Sequence, residues 1–227
     1  MPVGEREDEM TRRMKRVGAI VVVAALGSAV FAVAGAAALE FHSETEPTKL
    51  TGEATNVHVF DFTSAGGALK CKQAKFEGTV APKTTTEFKL SPTYSECTYA
   101  GVMATIKMNG CEYNFTTKKG TGEHYVVHIV CPEGMKVEMG IPALSCTLKF
   151  GAQTPEQGYG YTPSGSGAAR DFVLDITLKN IKYERIGGAL CQAVGNGTDL
   201  DYTGSATVRG YKDEKGLEGP QIGIWLE

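Results

Sequence analysis

From Leu39 to the C-terminus, apolar and polar residues alternate in short runs, the two-residue period of a strand with one buried face. In "CEYNFT", Cys111, Tyr113 and Phe115 fall on one face, and Glu112, Asn114 and Thr116 on the other. "YVVHIVC" returns with Tyr125, Val127, Ile129 and Cys131 in phase, and the intervening "KKGTGE" supplies turn glycines. A hairpin folded about Gly120 and Thr121 sets Cys111 opposite Cys131 and Phe115 opposite Val127. Upstream, a turn at residues 81–84 makes "KFEGTV" and "EFKLS" the arms of a second hairpin and brings Cys71 to Cys97. Further strands are expected in "NVHVFDFT", "VMATIKM", "MKVEM", "CTLKF", "DFVLDITL", "IKYERI", "GSATVRGY" and "QIGIWLE". After Leu178 the apolar parity slips, which predicts a β-bulge near Lys179 and Asn180. "GAQTPEQGYGYTPSGSG" reads as a long loop. The expected fold is all-β and antiparallel: a β-sandwich or two small packed β-sheets, stapled by disulfides and preceded by an N-terminal signal or anchor helix.

That leader is legible in residues 1–38. Arg12, Arg13, Lys15 and Arg16 precede an uncharged run, residues 17–38, which closes on Ala34, Gly35, Ala36, Ala37 and Ala38. Small residues at that point suit a signal peptidase, while a run of this length also suffices for a retained anchor. Both readings place the remainder outside the cytosol, secreted or at the cell envelope, touching membrane only through the N-terminal segment if it is retained. Residues 39–55 read as a linker and 56–227 as the exported domain. "GGALKC" at residues 66–71 echoes "GGALC" at 187–191, which suggests two similar subdomains, 56–150 and 151–227.

Composition narrows the chemistry. Of 23 basic and 26 acidic residues, 18 and 22 lie from Leu39 onward, a net charge of −4 without a basic stripe, which argues against nucleic acid as a partner. All six cysteines, Cys71, Cys97, Cys111, Cys131, Cys146 and Cys191, lie in the exported part. An even count outside the cytosol predicts three disulfides, here paired in sequence order as 71–97, 111–131 and 146–191. Chain entropy assigns each bridge roughly 3–4 kcal/mol. Zinc wants short ligand pairs such as C-x-x-C, and none is present.

Candidate sites are weighed against plainer readings. His124 and His128 share a four-residue spacing that holds zinc on a helix, but on a strand it spans about 13 Å, too far for one ion. His128 is expected as a partly buried strand residue and His124 as an exposed one. His58 and Asp61 fall on opposite strand faces, and His42 lies in the N-terminal tail. Asp171 with Asp175, and Asp199 with Asp201, are same-face carboxylate pairs that could serve glycoside hydrolysis or form a wet strand face. "GNGTDLD" offers Asn196, Asp199 and Asp201 as calcium ligands without the EF-hand order. Tyr159 and Tyr161 could stack on a ligand from the long loop or pin that loop to the core. No metal and no cofactor are expected.

The order "KCKQAKFEGT…LSPTYSECT…MNGCEYNF…VHIVCPEG…SCTLKFGAQ…IGIWLE" resembles a family of paralogous secreted proteins from actinobacteria. That resemblance implies export and a cysteine framework, and carries no catalytic residue onto this chain. The function expected is that of an exported non-enzymatic protein, binding or structural, with a surface, glycan or protein as partner. The alternative is a secreted hydrolase whose catalytic residues are dispersed along the chain.

Overall fold

Alternation on this scale commits the chain to strands, whose inward faces must then be buried against one another. The structure, a computed structural model, describes residues 40–117, 125–214 and 217–227. Its strands are β1 (Phe41–Ser43), β2 (Thr48–Ala54), β3 (His58–Phe62), β4 (Gly67–Val80), β5 (Thr84–Thr85), β6 (Glu87–Tyr99), β7 (Val102–Met103), β8 (Thr105–Lys107), β9 (Glu112–Thr117) and β10 (Tyr125–Val130). Then follow β11 (Val137–Ile141), β12 (Cys146–Phe150), β13 (Glu156–Ser164), β14 (Asp171–Ile181), β15 (Glu184–Gly187), β16 (Leu200–Glu214), β17 (Leu217–Ile222) and β18 (Ile224–Leu226). One helical turn, α1 (Ala189–Gln192), lies between β15 and β16.

The all-β antiparallel fold is present. Its main sheet runs β10-β9-β6-β4-β2-β16-β14-β13, with β3 continuing the place of β2 between β4 and β16. The two outer strands of this order then meet. Ile129 exchanges two backbone hydrogen bonds with Gln153, at 2.9 and 3.0 Å. Beside them the Gln157 side chain accepts from the Val127 amide (2.6 Å) and donates to the Val127 carbonyl (2.7 Å). The sheet therefore curls into an eight-position up-and-down barrel, and the facing layers of the expected sandwich are opposite walls of one sheet.

A primary amide here stands in for a missing strand pairing at the seam. Gln157→Leu is expected to cost about 2 kcal/mol, because the buried amide and carbonyl of Val127 lose their partners. Urea unfolding with the bridges intact checks the loss, and faster amide exchange at Val127 locates it.

Side chains from opposite walls touch inside the barrel. Phe88 on β6 and Phe172 on β14 lie 6.3 Å apart between ring centroids, and Phe41 packs on both. Phe88 also stacks on Phe115 at 4.8 Å. The outward wall is polar, with Lys70, Lys72, Lys75, Glu77, Lys89 and Asp175 exposed. Each end of the barrel carries a small sheet: β5, β1 and β18 at one end of β6, and β8, β11, β12 and β15 at the other.

The predicted pairings are present. Thr117 faces Tyr125 and Phe115 faces Val127, while the turn between these strands lies outside the described residues. The bridges are Cys71–Cys97, Cys111–Cys131 and Cys146–Cys191. Cys131 is half-buried while the other five are buried, so a limiting dose of reductant followed by alkylation is expected to label residues 111 and 131 first. Between Leu178 and Ile181 the register shifts, with Asn180 at φ 57°, the bulge expected there.

Four expectations are corrected. Residues 39–55 are not a linker: β1 and β2 lie there, and β2 is a barrel stave. Segments 56–150 and 151–227 are not separate subdomains, since β16 pairs with β3 of the first and β14 of the second and knits both into one wall. "GGALKC" enters strand β4 whereas "GGALC" enters α1, so the short likeness does not reflect a shared structure. The long loop is largely β13, paired with β14 from Glu156 to Ser164. Glycines at positions 158 and 160 had masked that strand's period. The leader, residues 1–38, and His124 lie outside the described residues.

Candidate functional site

The barrel's centre holds its most unusual chemistry. His58 on β3, Tyr94 on β6, Tyr113 on β9 and Tyr202 on β16 all point inward, because each occupies the buried parity of its strand. Tyr113 and Tyr202 come from opposite walls. Their hydroxyls form a chain: Tyr113 to Tyr94 at 2.9 Å, Tyr94 to Tyr202 at 3.2 Å, and Tyr202 to Nδ1 of His58 at 2.8 Å. One direction of donation satisfies all three hydroxyls and ends with Tyr202 donating to Nδ1. The imidazole proton then lies on Nε2, which is buried without a hydrogen-bond partner.

Burial sets the protonation of this group. It lowers the pKa of His58 to about 4, against a smaller opposing pull from the Ser205 carbonyl. Burial likewise pushes Tyr113 up to about 12 and raises Tyr94 and Tyr202 well above the ordinary tyrosine value. The four groups are neutral at pH 7 and pack among Phe60 and Phe76. Gly204 permits this arrangement, since a Cβ there would lie 2.2 Å from Nδ1 of His58. The chain joins opposite walls and fills the space in which a hollow barrel would hold a small ligand.

A second polar node lies at the β8–β11–β12–β15 end. Asp199 accepts from the Ser64 amide (2.8 Å), the Ser64 hydroxyl, the Asn196 amide (3.0 Å) and the Tyr183 hydroxyl (2.8 Å). Burial alone would raise this carboxyl. The hydrogen bonds, led by the Ser64 hydroxyl, outweigh it and hold the group well below the usual carboxylate range. Four donors occupy the Asp199 carboxylate, while Asn196 Oδ1 accepts from the amide and hydroxyl of Thr198. Asp201 takes the Asn180 amide. The proposed calcium ligands are thus engaged in closing loops, and no group of three metal-ligating side chains forms among the described residues.

The remaining candidates disperse. Asp171 is buried beside Arg209 at 3.5 Å, whereas Asp175 is exposed; four residues of strand hold them about 13 Å apart, beyond glycosidase spacing. His128 is half-buried, as expected, and bridges the hydroxyls of Thr154 (2.7 Å) and Thr116 (3.1 Å). His42 is on β1 rather than in a tail: it stacks on Trp225 at 5.4 Å and lies 3.2 Å from the Thr84 hydroxyl and 3.7 Å from Glu227. No described histidine reaches both a serine and a carboxylate within hydrogen-bond distance, so no such triad assembles among them. Tyr161 is half-buried, and its hydroxyl donates to the Leu226 carbonyl at 3.1 Å. Tyr159 pairs with Ile176 through β13, and its side chain lies outside the described residues. Neither residue stands on the loop from which ligand stacking was expected.

Sequence reasoning missed the His58–tyrosine chain. Inward parity was readable at each position, but only closure of the barrel brings β9 and β16 face to face. Comparison with protein families, with curated proteins and with solved structures found no match.

Proposed function

We propose that this chain is an exported, non-enzymatic protein of the cell envelope or extracellular space, structural or binding, which works through its outer surface. The observation that carries this reading is the filled interior: the described side chains of opposite walls meet at Phe88–Phe172 and along the tyrosine hydroxyls. Three disulfides support an oxidising compartment. The resemblance to secreted actinobacterial paralogues supports the same address. A polar barrel wall and a cross-linked frame suit a durable surface module whose partner is a glycan, a protein or another envelope surface.

The experiment is fractionation of an actinobacterial host expressing the full chain, followed by non-reducing peptide mapping and incubation of the purified chain with isolated envelope. The expected result is an extracytoplasmic protein, oxidised at all six cysteines, that co-sediments with envelope material. A reduced chain in the cytosol would overturn the reading.

A further inference from the structure

The chain holds two Asn-Gly pairs, Asn109–Gly110 and Asn196–Gly197, and the fold treats them differently. An asparagine followed by glycine can close a succinimide ring: the next backbone nitrogen attacks the side-chain carbonyl carbon, and no Cβ stands in its way. At Asn109 the structure resists this. The side-chain nitrogen donates to the Lys136 carbonyl at 2.9 Å, and the Cys111 amide closes the turn onto the Met108 carbonyl at 2.9 Å. Cys111 is also bonded to Cys131, which fixes the end of that turn. At Asn196 the arrangement favours closure. The residue is exposed, and the Gly197 amide donates no hydrogen bond among the described residues. Gly197 stands at φ 98°, so the backbone itself calls for the glycine that makes Asn196 reactive. Asn196 Oδ1 accepts from the Thr198 amide at 3.0 Å and the Thr198 hydroxyl at 3.1 Å. These donors polarise the carbonyl and sit on the oxygen where negative charge forms when its carbon is attacked.

We propose that Asn196 is a self-modifying site, which converts to isoaspartate in the folded protein ahead of Asn109 and thereby loosens the Asp199 node. The Gly197 nitrogen bonds to the Asn196 side-chain carbon and gives its proton to water. The side-chain nitrogen leaves as ammonia, and the succinimide remains. Water then opens the ring at either carbonyl, which yields an isoaspartyl or an aspartyl residue. The net change is water consumed and ammonia released, so water is the sole co-reactant, and the exposed position admits it. In the isoaspartyl product the chain runs through the former side chain and is longer by a carbon. That displaces the Asn196 backbone amide, which donates to Asp199 at 3.0 Å, and the Gly197 carbonyl, which accepts from the Tyr183 amide at 2.8 Å. Both products also place a new carboxylate close to that of Asp199, where like charges repel.

The test incubates the purified, oxidised full chain in mildly alkaline buffer and follows both asparagines by peptide mapping, with isoaspartate identified by electron-transfer fragmentation. Asn109 must first break its bond to Lys136 and open a closed turn, so Asn196 is expected to convert about tenfold faster. In the reduced chain in urea, where only the shared Asn-Gly sequence acts, the two rates are expected to converge. Chain carrying isoaspartate at position 196, separated by ion exchange, is expected to unfold at a lower urea concentration than fresh chain. Conversion at Asn109 as fast as at Asn196 in the folded protein overturns the proposal, as does a preference for Asn196 that survives unfolding. An Asn196 that stays intact in the folded chain while both sites convert in the unfolded one overturns it equally. An aged chain as stable as the fresh one overturns the effect on the Asp199 node.

Discussion

Replacing Asp199 with alanine is expected to lower the unfolding free energy by about 3–5 kcal/mol, the range for removing one partner from a buried charged network. Asp199 is 6% exposed, and its carboxylate receives four hydrogen bonds from three places: Ser64 in the β3–β4 connection, Tyr183 beyond β14, and Asn196 in the segment before β16. Without it, four donors at the barrel mouth lose their acceptor, and three connections lose their common tie. Tyr183, which burial and the Asp199 hydrogen bond push up to about 12, stays a donor at every pH relevant to the measurement. Asp199→Asn separates shape from charge: an amide has one acceptor oxygen and turns a donor toward its former partners, so most of the loss should persist. Urea unfolding at pH 7, with bridges intact, checks both variants; a loss below 1 kcal/mol from the alanine would reject the proposed tie.

The second large effect is acid destabilisation through His58. Its folded pKa, lowered to about 4, lies below the unfolded value of 6.5, so the unfolded chain binds the extra proton first. Stability from this group is complete above about pH 6.5 and falls as pH drops toward 4, by a total of about 3 kcal/mol. A proton on Nδ1 would also displace the bond donated by Tyr202, and the Ser205 carbonyl offsets the new buried charge only in part. His58→Phe should flatten the slope between pH 6.5 and 4, even if the variant is less stable at pH 7. Asp199 acts in a different window. Its folded pKa is depressed, so its contribution is present above the ordinary carboxylate pKa near 3.9 and disappears only as pH falls below that. A wild-type stability curve level from pH 7 to 4 would contradict the environment assigned to His58.

Both effects arise from polar groups inside an apolar frame, and both bear on function. A barrel stitched across its middle by hydroxyls and at its mouth by a carboxylate has little interior freedom, as the proposed role through the outer surface requires. The seam between β10 and β13 contrasts with this, since a side-chain amide closes part of it.

Local features were open to sequence reasoning because their cause is local. The two-residue period of "CEYNFT" and "YVVHIVC" set the faces of β9 and β10, and equal distances from a turn placed Cys111 opposite Cys131. The parity slip beyond Leu178 likewise marked the bulge at Asn180. Tertiary structure alone decided what required strands distant in sequence to meet. Alternation states that a face is buried without saying against what, so a curled sheet and a pair of facing sheets share one pattern. Closure at Ile129 and Gln153 selects the barrel, and with it the meeting of Tyr113 with Tyr202. The same limit hid β13, whose glycines carry no pattern, and the role of Asp199, whose donors arrive from residues as distant as Ser64.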